Sequence, residues 1–181
     1  TPREGDYNLT ISKAVRGGLT GSYYNNRHMY GEPTMTRLDP VLDFKWSAED
    51  TITETGKDYI SVRWTGYLLP SFSELYTIYL TVNDGARIWI DDVMIMDHYE
   101  NEVTDATGEV EFSAGIPFSL IANQLVSVKI EYRENTGKAA LGLWWKSATQ
   151  PKEIVPSYRM FPSVEEIENS PLVIKPSGRK P

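Results

Sequence analysis

Apolar and polar residues alternate with a period of two in several short runs. Between Tyr76 and Val82, Tyr76, Ile78, Leu80 and Val82 share one face while Thr77, Tyr79 and Thr81 share the other, the pattern of a strand with one buried side. The same alternation runs through Ile60-Ser61-Val62-Arg63-Trp64, through Ala86 to Asp91 with Ile88 and Ile90 inward, and through Val126 to Tyr132. Shorter runs predict further strands at Leu19–Tyr24, Leu42–Trp46, Val93–Met96, Glu109–Phe112 and Ala140–Lys146.

Turn residues punctuate these runs at Asn83-Asp84-Gly85, Asp91-Asp92, Ala114-Gly115 and Asn135-Thr136-Gly137, where Gly, Asn and Asp tolerate positive φ or bond their own backbone. Strands this short and closely spaced predict an all-β, antiparallel sandwich or barrel. One helical turn is expected at Ser163 to Glu168, with Ser163 as N-cap and Glu166 at the capping-box position. The ends read differently from the middle. Tyr7 to Ile11 alternates like the last strand of a preceding β module, Arg16-Gly17-Gly18 reads as a joint, and Pro171-Leu172-Val173-Ile174 reads as the first strand of a following module. The expected organisation is therefore a fragment and joint over 1–18, one domain over 19–162, and a linker with a new β module over 163–181.

Composition supports a single folded core. The 181 residues are 40% hydrophobic and 12% aromatic, with five Trp and eleven Tyr, which suits strands better than helix bundles. A net charge of −7 and the lack of any basic run disfavour nucleic acid and anionic lipid as partners. With no cysteine, disulfides and thiolate metal sites are excluded. No stretch approaches the roughly 20 apolar residues that span a bilayer, so membrane insertion is not expected. Asn8-Leu9-Thr10 is a glycosylation acceptor triplet.

Motifs in order along the chain carry a resemblance. Gly18-Leu19-Thr20-Gly21-Ser22-Tyr23-Tyr24, Asp39-Pro40-Val41-Leu42-Asp43-Phe44-Lys45-Trp46 and Ile60-Ser61-Val62-Arg63-Trp64-Thr65-Gly66 are followed by Tyr76 to Val93 with its Asn83-Asp84-Gly85-Ala86-Arg87 centre, then by Ile130-Glu131-Tyr132 and Leu141-Gly142-Leu143-Trp144-Trp145. From Leu19 to Pro162 this series resembles the PA14 domain of adhesins, toxins and glycosidases. The resemblance implies a β-sandwich of two antiparallel sheets with ligand loops at one end.

In carbohydrate-binding members of that family, an Asp-Asp pair joined by a cis peptide holds a calcium ion that coordinates sugar hydroxyls. The matching positions are Asn83 and Asp84, and the second ligand loop falls at Asn135 with backbone carbonyls near Gly137. The resemblance thus implies Asn83, Asp84, Asn135 and Gly137 as metal positions for Ca2+, which takes six to eight oxygen ligands at about 2.4 Å. Asn83 departs from the family pattern because it brings no charge. By its own turn chemistry, Asn83-Asp84-Gly85 reads equally well as a hairpin or bulge turn. Asp91-Asp92 reads as a turn rather than a ligand pair.

Alternation places Trp64 and Trp145 on the core face and Trp89 and Trp144 on the opposite one. Trp89 and Trp144 are therefore candidates for stacking on a ligand, with packing under a flanking loop as the other reading. His28 and His98 are too far apart in sequence to suggest zinc. No nucleophile elbow, phosphate-cradling loop or metalloprotease helix is present, so catalysis is not expected. The chain is expected to be an extracellular or cell-surface binding and adhesion module, recognising glycans with a calcium ion through Asn83, Asp84, Asn135 and Trp89. The alternative is a structural or protein-interaction module contacting adjacent β domains or a cell-surface protein, without an ion site. A third reading is an accessory domain of a glycosidase.

Overall fold

The structure, a computed structural model, describes residues 17–54, 56–100 and 108–164. Thirteen strands run in chain order: β1 (Leu19–Tyr24), β2 (Met35–Asp39), β3 (Asp43–Trp46), β4 (Ile60–Leu68), β5 (Glu74–Asn83), β6 (Gly85–Ile90), β7 (Val93–Asp97), β8 (Val110–Ser113), β9 (Phe118–Leu120), β10 (Val126–Glu134), β11 (Ala139–Lys146), β12 (Glu153–Ile154) and β13 (Met160–Phe161). They form two antiparallel sheets. The first has the order β2-β1-β4-β10-β6-β7, with β13 also pairing β4, and the second has β12-β11-β5-β8, with β3 on β11 and β9 on β5. The expected sandwich of two antiparallel sheets is what the chain forms.

Each strand expected within the described residues is present to within two residues at either end, except that β4 continues four residues past the expected Trp64, to Leu68. β2, β9, β12 and β13 were not foreseen. Met35-Thr36-Arg37-Leu38-Asp39 is mostly polar and lies at the sheet edge, and β12 and β13 have two residues each, so none has a periodic signal long enough to stand out. The strand-like pieces at Tyr7–Ile11 and Pro171–Ile174, the Asn8 acceptor and the helical turn beyond Val164 lie outside the described residues.

The core lies between the sheets. Val62, Trp64, Ile88, Ile130 and Tyr132 from the first sheet and Ile78, Leu80, Val82, Leu141, Leu143 and Trp145 from the second are all fully buried. They are the inward members of the alternating runs, so the period-two pattern places them there. Trp64 and Trp145 lie in the core as alternation required. Trp144 is half-buried, donates its indole N–H to Thr81 Oγ1 at 3.0 Å and lies beneath Lys152, whose Nζ is 5.6 Å from the ring centroid.

A polar hub stabilises the β1–β2–β4 corner. Asp39, buried, accepts from the Tyr23 hydroxyl (2.5 Å), the Trp64 indole N–H (2.7 Å) and Arg37 Nε (2.7 Å). Three donors satisfy a carboxylate that burial alone would make costly. Desolvation, followed by the Asp39 charge, holds the Tyr23 phenol far above its ordinary range.

Candidate functional site

Two connections that looked like turns in sequence carry the chain from one sheet to the other. β5 ends at Asn83 in the second sheet and β6 begins at Gly85 in the first, so Asp84 alone spans the crossing. The hairpin reading of Asn83-Asp84-Gly85 is thereby corrected, because β5 and β6 belong to different sheets and a hairpin needs its two strands to pair. β10 ends at Glu134 in the first sheet and β11 begins at Ala139 in the second, so Asn135 to Lys138 make a parallel crossing.

Register sets the two crossings side by side. Arg133 of β10 is opposite Gly85 of β6, and Ala140 of β11 is opposite Asn83 of β5. Asp84 and Asn135 must therefore meet at the end of the sandwich. Asp84 Oδ2 accepts the backbone N–H of Asn135 at 2.7 Å, and both residues are buried, as is Asn83. The Asn83–Asp84 peptide bond is cis, as the family resemblance implied. Gly85 has to be glycine here, since a Cβ would lie 2.4 Å from the Tyr99 carbonyl oxygen.

Neighbouring loops complete the cluster. Asn135 Oδ1 accepts from Arg27 Nη1 at 2.9 Å and the Asn135 carbonyl accepts the Tyr59 N–H at 2.9 Å. Gly137, at φ 99°, donates its N–H to Asp58 Oδ1 at 3.2 Å. Beneath them, the buried Tyr132 hydroxyl contacts the Asn83 carbonyl oxygen and Glu134 Oε2, the latter at 3.1 Å. Glu134 is fully buried, and its other oxygen, Oε1, has no hydrogen-bond donor among the described residues. Burial, and then the nearby Asp84 charge, push the Glu134 carboxyl up to about 8.

A cleft of about 150 Å³ opens beside Asn83, bounded by Lys45, Trp46, Glu109 and Lys138. The Trp46 ring stacks on Phe44 at 4.8 Å and faces Tyr132 at 6.1 Å, so an aromatic row runs from the core to the cleft. Lys45 pairs with Glu109 at 3.1 Å across the rim.

Trp89 does not join this cluster. It lies on the outer face of the first sheet, four residues along β6 from Gly85, or about 13 Å at 3.3 Å per residue. Its ring faces Lys129 Nζ at 4.0 Å and Arg87 Cζ at 5.2 Å, beside a separate groove of about 320 Å³ shared with Tyr67, Asp92 and Ser127. Asp91 and Asp92 form the β6–β7 turn, both at positive φ, and Asp91 Oδ1 accepts the Ser127 N–H at 2.9 Å. They belong to that turn, as their sequence indicated. His98 stacks on Phe112 at 3.7 Å.

The donor chemistry of the crossings suits a hard cation. The buried Glu134 carboxyl lies beside the Asp84 carboxylate, and Asn83, Asn135 and Gly137 add amide and carbonyl oxygens of the kind calcium takes. Two features oppose it. Among the described residues no group of three or more His, Cys, Asp or Glu side chains converges on one point, and Arg27 already engages Asn135 Oδ1.

Sequence reasoning brought together Asn83, Asp84, Asn135 and Gly137 but missed Glu134, Arg27, Asp58 and Trp46. For Glu134 a signal existed. Ile130, Tyr132 and Glu134 have one parity on β10, so the alternation that buries the first two buries the glutamate as well. Arg27 sits in the loop after β1, where no periodicity reports direction.

The PA14 domain family model matches residues 16–158. The anti-sigma-I factor RsgI3 of Acetivibrio thermocellus is 35% identical over 155 residues, covering 85% of this chain and 23% of that protein. A solved anti-sigma factor domain-containing protein superposes with a TM-score of 0.73 at 37% identity, covering 83% of this chain and 49% of that one. The PA14 sugar-binding domain from an RTX adhesin shares the fold with a TM-score of 0.64 at 21% identity, covering 82% and 99%. The chain thus spans about a quarter of the curated relative and about half of the first solved one.

Proposed function

Because the chain belongs to the PA14 domain family, we propose that it is an extracellular glycan-binding module that takes its ligand at the paired sheet crossings. The observation that carries this reading is the junction of Asp84 with Asn135, which sets the polar crossings beside the Trp46 cleft. A wall of indole and a rim of amide, carboxylate and ammonium groups is the chemistry that recognises a pyranose, whose faces are apolar and whose edges are hydroxyl. The sugar-binding description of the adhesin domain supports the same class of ligand.

Calcium belongs to this proposal as a cofactor held by Asp84, Asn83, Asn135 and the Gly137 backbone, with Glu134 behind them. When bound, the ion would offer open coordination positions to vicinal hydroxyls. The chain's own residues fix the rest. Tyr59 holds the Asn135 carbonyl, Asp58 holds Gly137, and Trp46 closes one side of the cleft.

A glycan array probed with the domain in millimolar calcium and again in chelator tests the proposal. Retention of a defined glycan class is the expected result. Uniform blanks in both buffers sink the glycan reading, and equal retention in both sinks the calcium part alone.

The 35% identity to an anti-sigma-I factor favours a specific setting for the module. In a regulatory protein of that kind, glycan binding outside the cell would be the sensed signal rather than a means of attachment. Placing the domain in its full-length protein and measuring sigma-factor-dependent transcription with and without the array-positive glycan distinguishes sensing from adhesion.

A further inference from the structure

The guanidinium of Arg27 is held in place from several directions. Its own carbonyl accepts the Tyr99 hydroxyl at 2.6 Å, and its side chain lies over the Tyr59 ring at 5.6 Å. The loop around it is pinned by Ser61 Oγ donating to the Asn26 carbonyl at 2.6 Å and by Thr53 Oγ1 donating to Asn25 Oδ1 at 2.5 Å. From that fixed base Nη1 reaches Asn135 Oδ1 at 2.9 Å, and Arg27 forms no ion pair among the described residues. A guanidinium held on an amide oxygen at the edge of a buried carboxyl pair is a cation tethered where a free cation would bind.

We propose that Arg27 is a built-in competitor for divalent cations at the sheet crossings, occupying Asn135 Oδ1 and setting how weakly the domain takes calcium. The proposal rests on the reading of the crossings as a cation site. An ion that takes Asn135 Oδ1 as a ligand must displace the guanidinium, and it must also bear the repulsion of a positive charge already in place. Asn83, which has no charge, acts in the same direction by removing half of the attraction that a carboxylate pair would exert. Affinity then depends on a residue in the β1 loop, far in sequence from the oxygens themselves.

Calcium chloride titrated calorimetrically into the folded domain, with no glycan present, tests this. Arg27→Met should bind calcium roughly tenfold more tightly than the wild type, the factor that one hydrogen bond to a charged group commands. Lys129→Met removes the same charge from the outer face of the first sheet and should shift affinity no more than about threefold, since its ammonium lies over the Trp89 ring, away from the crossings, and acts only through a screened field. If Arg27→Met unfolds, Arg27→Gln is read instead, because it removes the charge while keeping a polar side chain. Equal or weaker binding by the folded Arg27 variant, equal tightening by the Lys129 variant, or no heat from any of the proteins overturns the proposal. Glycan retention is scored separately, so a blank array beside a tightened Arg27 variant removes the lectin reading and leaves the competition intact.

Discussion

Asp84 Oδ2 accepts the backbone N–H of Asn135 at 2.7 Å, joining two points 51 residues apart in sequence. The bond follows from topology. Each residue lies where the chain leaves one sheet for the other, and the strand entering each crossing is hydrogen-bonded to the strand leaving the other. A carboxylate at one crossing therefore caps the backbone of the next.

Replacing Asp84 with Ala should leave the buried Asn135 N–H without its acceptor, at about 1–3 kcal/mol. Asp84→Asn keeps an oxygen for that N–H and should recover much of the loss, but not the charge a cation needs. The expected pattern in urea unfolding is wild type above Asn above Ala. Calcium binding should be lost in both variants, which separates the bond's structural role from its charge.

Glu134 gives the domain a pH dependence whose sign is fixed by the direction of its shift. Its carboxyl is raised to about 8 in the folded protein from an ordinary 4.5, by burial and then by the Asp84 charge. The folded state therefore holds the proton more tightly than the unfolded one. The stability this contributes is complete below about pH 4.5 and is lost progressively as pH rises through about 8. Thermal melts across that window, in chelator, should show Tm falling with pH. Glu134→Gln should flatten this part of the slope and raise Tm at the alkaline end, and an unchanged slope in that variant would assign the dependence to other groups.

What sequence could and could not show follows from the range of each signal. Alternation reports which side of a strand is buried, so Val62, Trp64, Ile78, Leu80 and Trp145 were legible as core. Alternation says nothing about which sheet a strand joins. Asn83-Asp84-Gly85 has the composition of a tight turn, and the strands on either side read as a hairpin until β11 and β10 claim them as separate partners. The motif resemblance supplied Asn83, Asp84, Asn135 and Gly137, since it carries order along the chain. It was silent on Arg27 and Trp46, which reach the crossings from other elements through tertiary packing alone.

Asp39 should prove one of the more costly positions to alter. Asp39→Ala leaves the buried Tyr23 hydroxyl and Trp64 indole N–H without their acceptor, while Arg37, more exposed, can turn to water. Two stranded donors imply a loss of about 3 kcal/mol, and Asp39→Asn, which keeps one acceptor oxygen, should lose less. Denaturant unfolding followed by tryptophan fluorescence reads both at once, because Trp64 is itself one of the donors.

Two of the three half-buried tryptophans, Trp46 and Trp89, separate the glycan site from the rest of the surface. Trp46 forms a wall of the cleft beside Asn83, whereas Trp89 is about 13 Å along β6 from the crossing and its ring is flanked by Lys129 and Arg87. Trp46→Ala should therefore weaken glycan retention at least tenfold, the scale of a lost aromatic contact at a binding site. Because Trp46 also packs on Phe44, its stability is measured alongside, and Trp46→Phe should restore part of the affinity. Trp89→Ala should leave retention within about twofold and cost about 1 kcal/mol of stability through the lost cation–π contact. The reverse ranking of the two variants on the same glycan would move the binding surface from the crossings to the outer face of the first sheet.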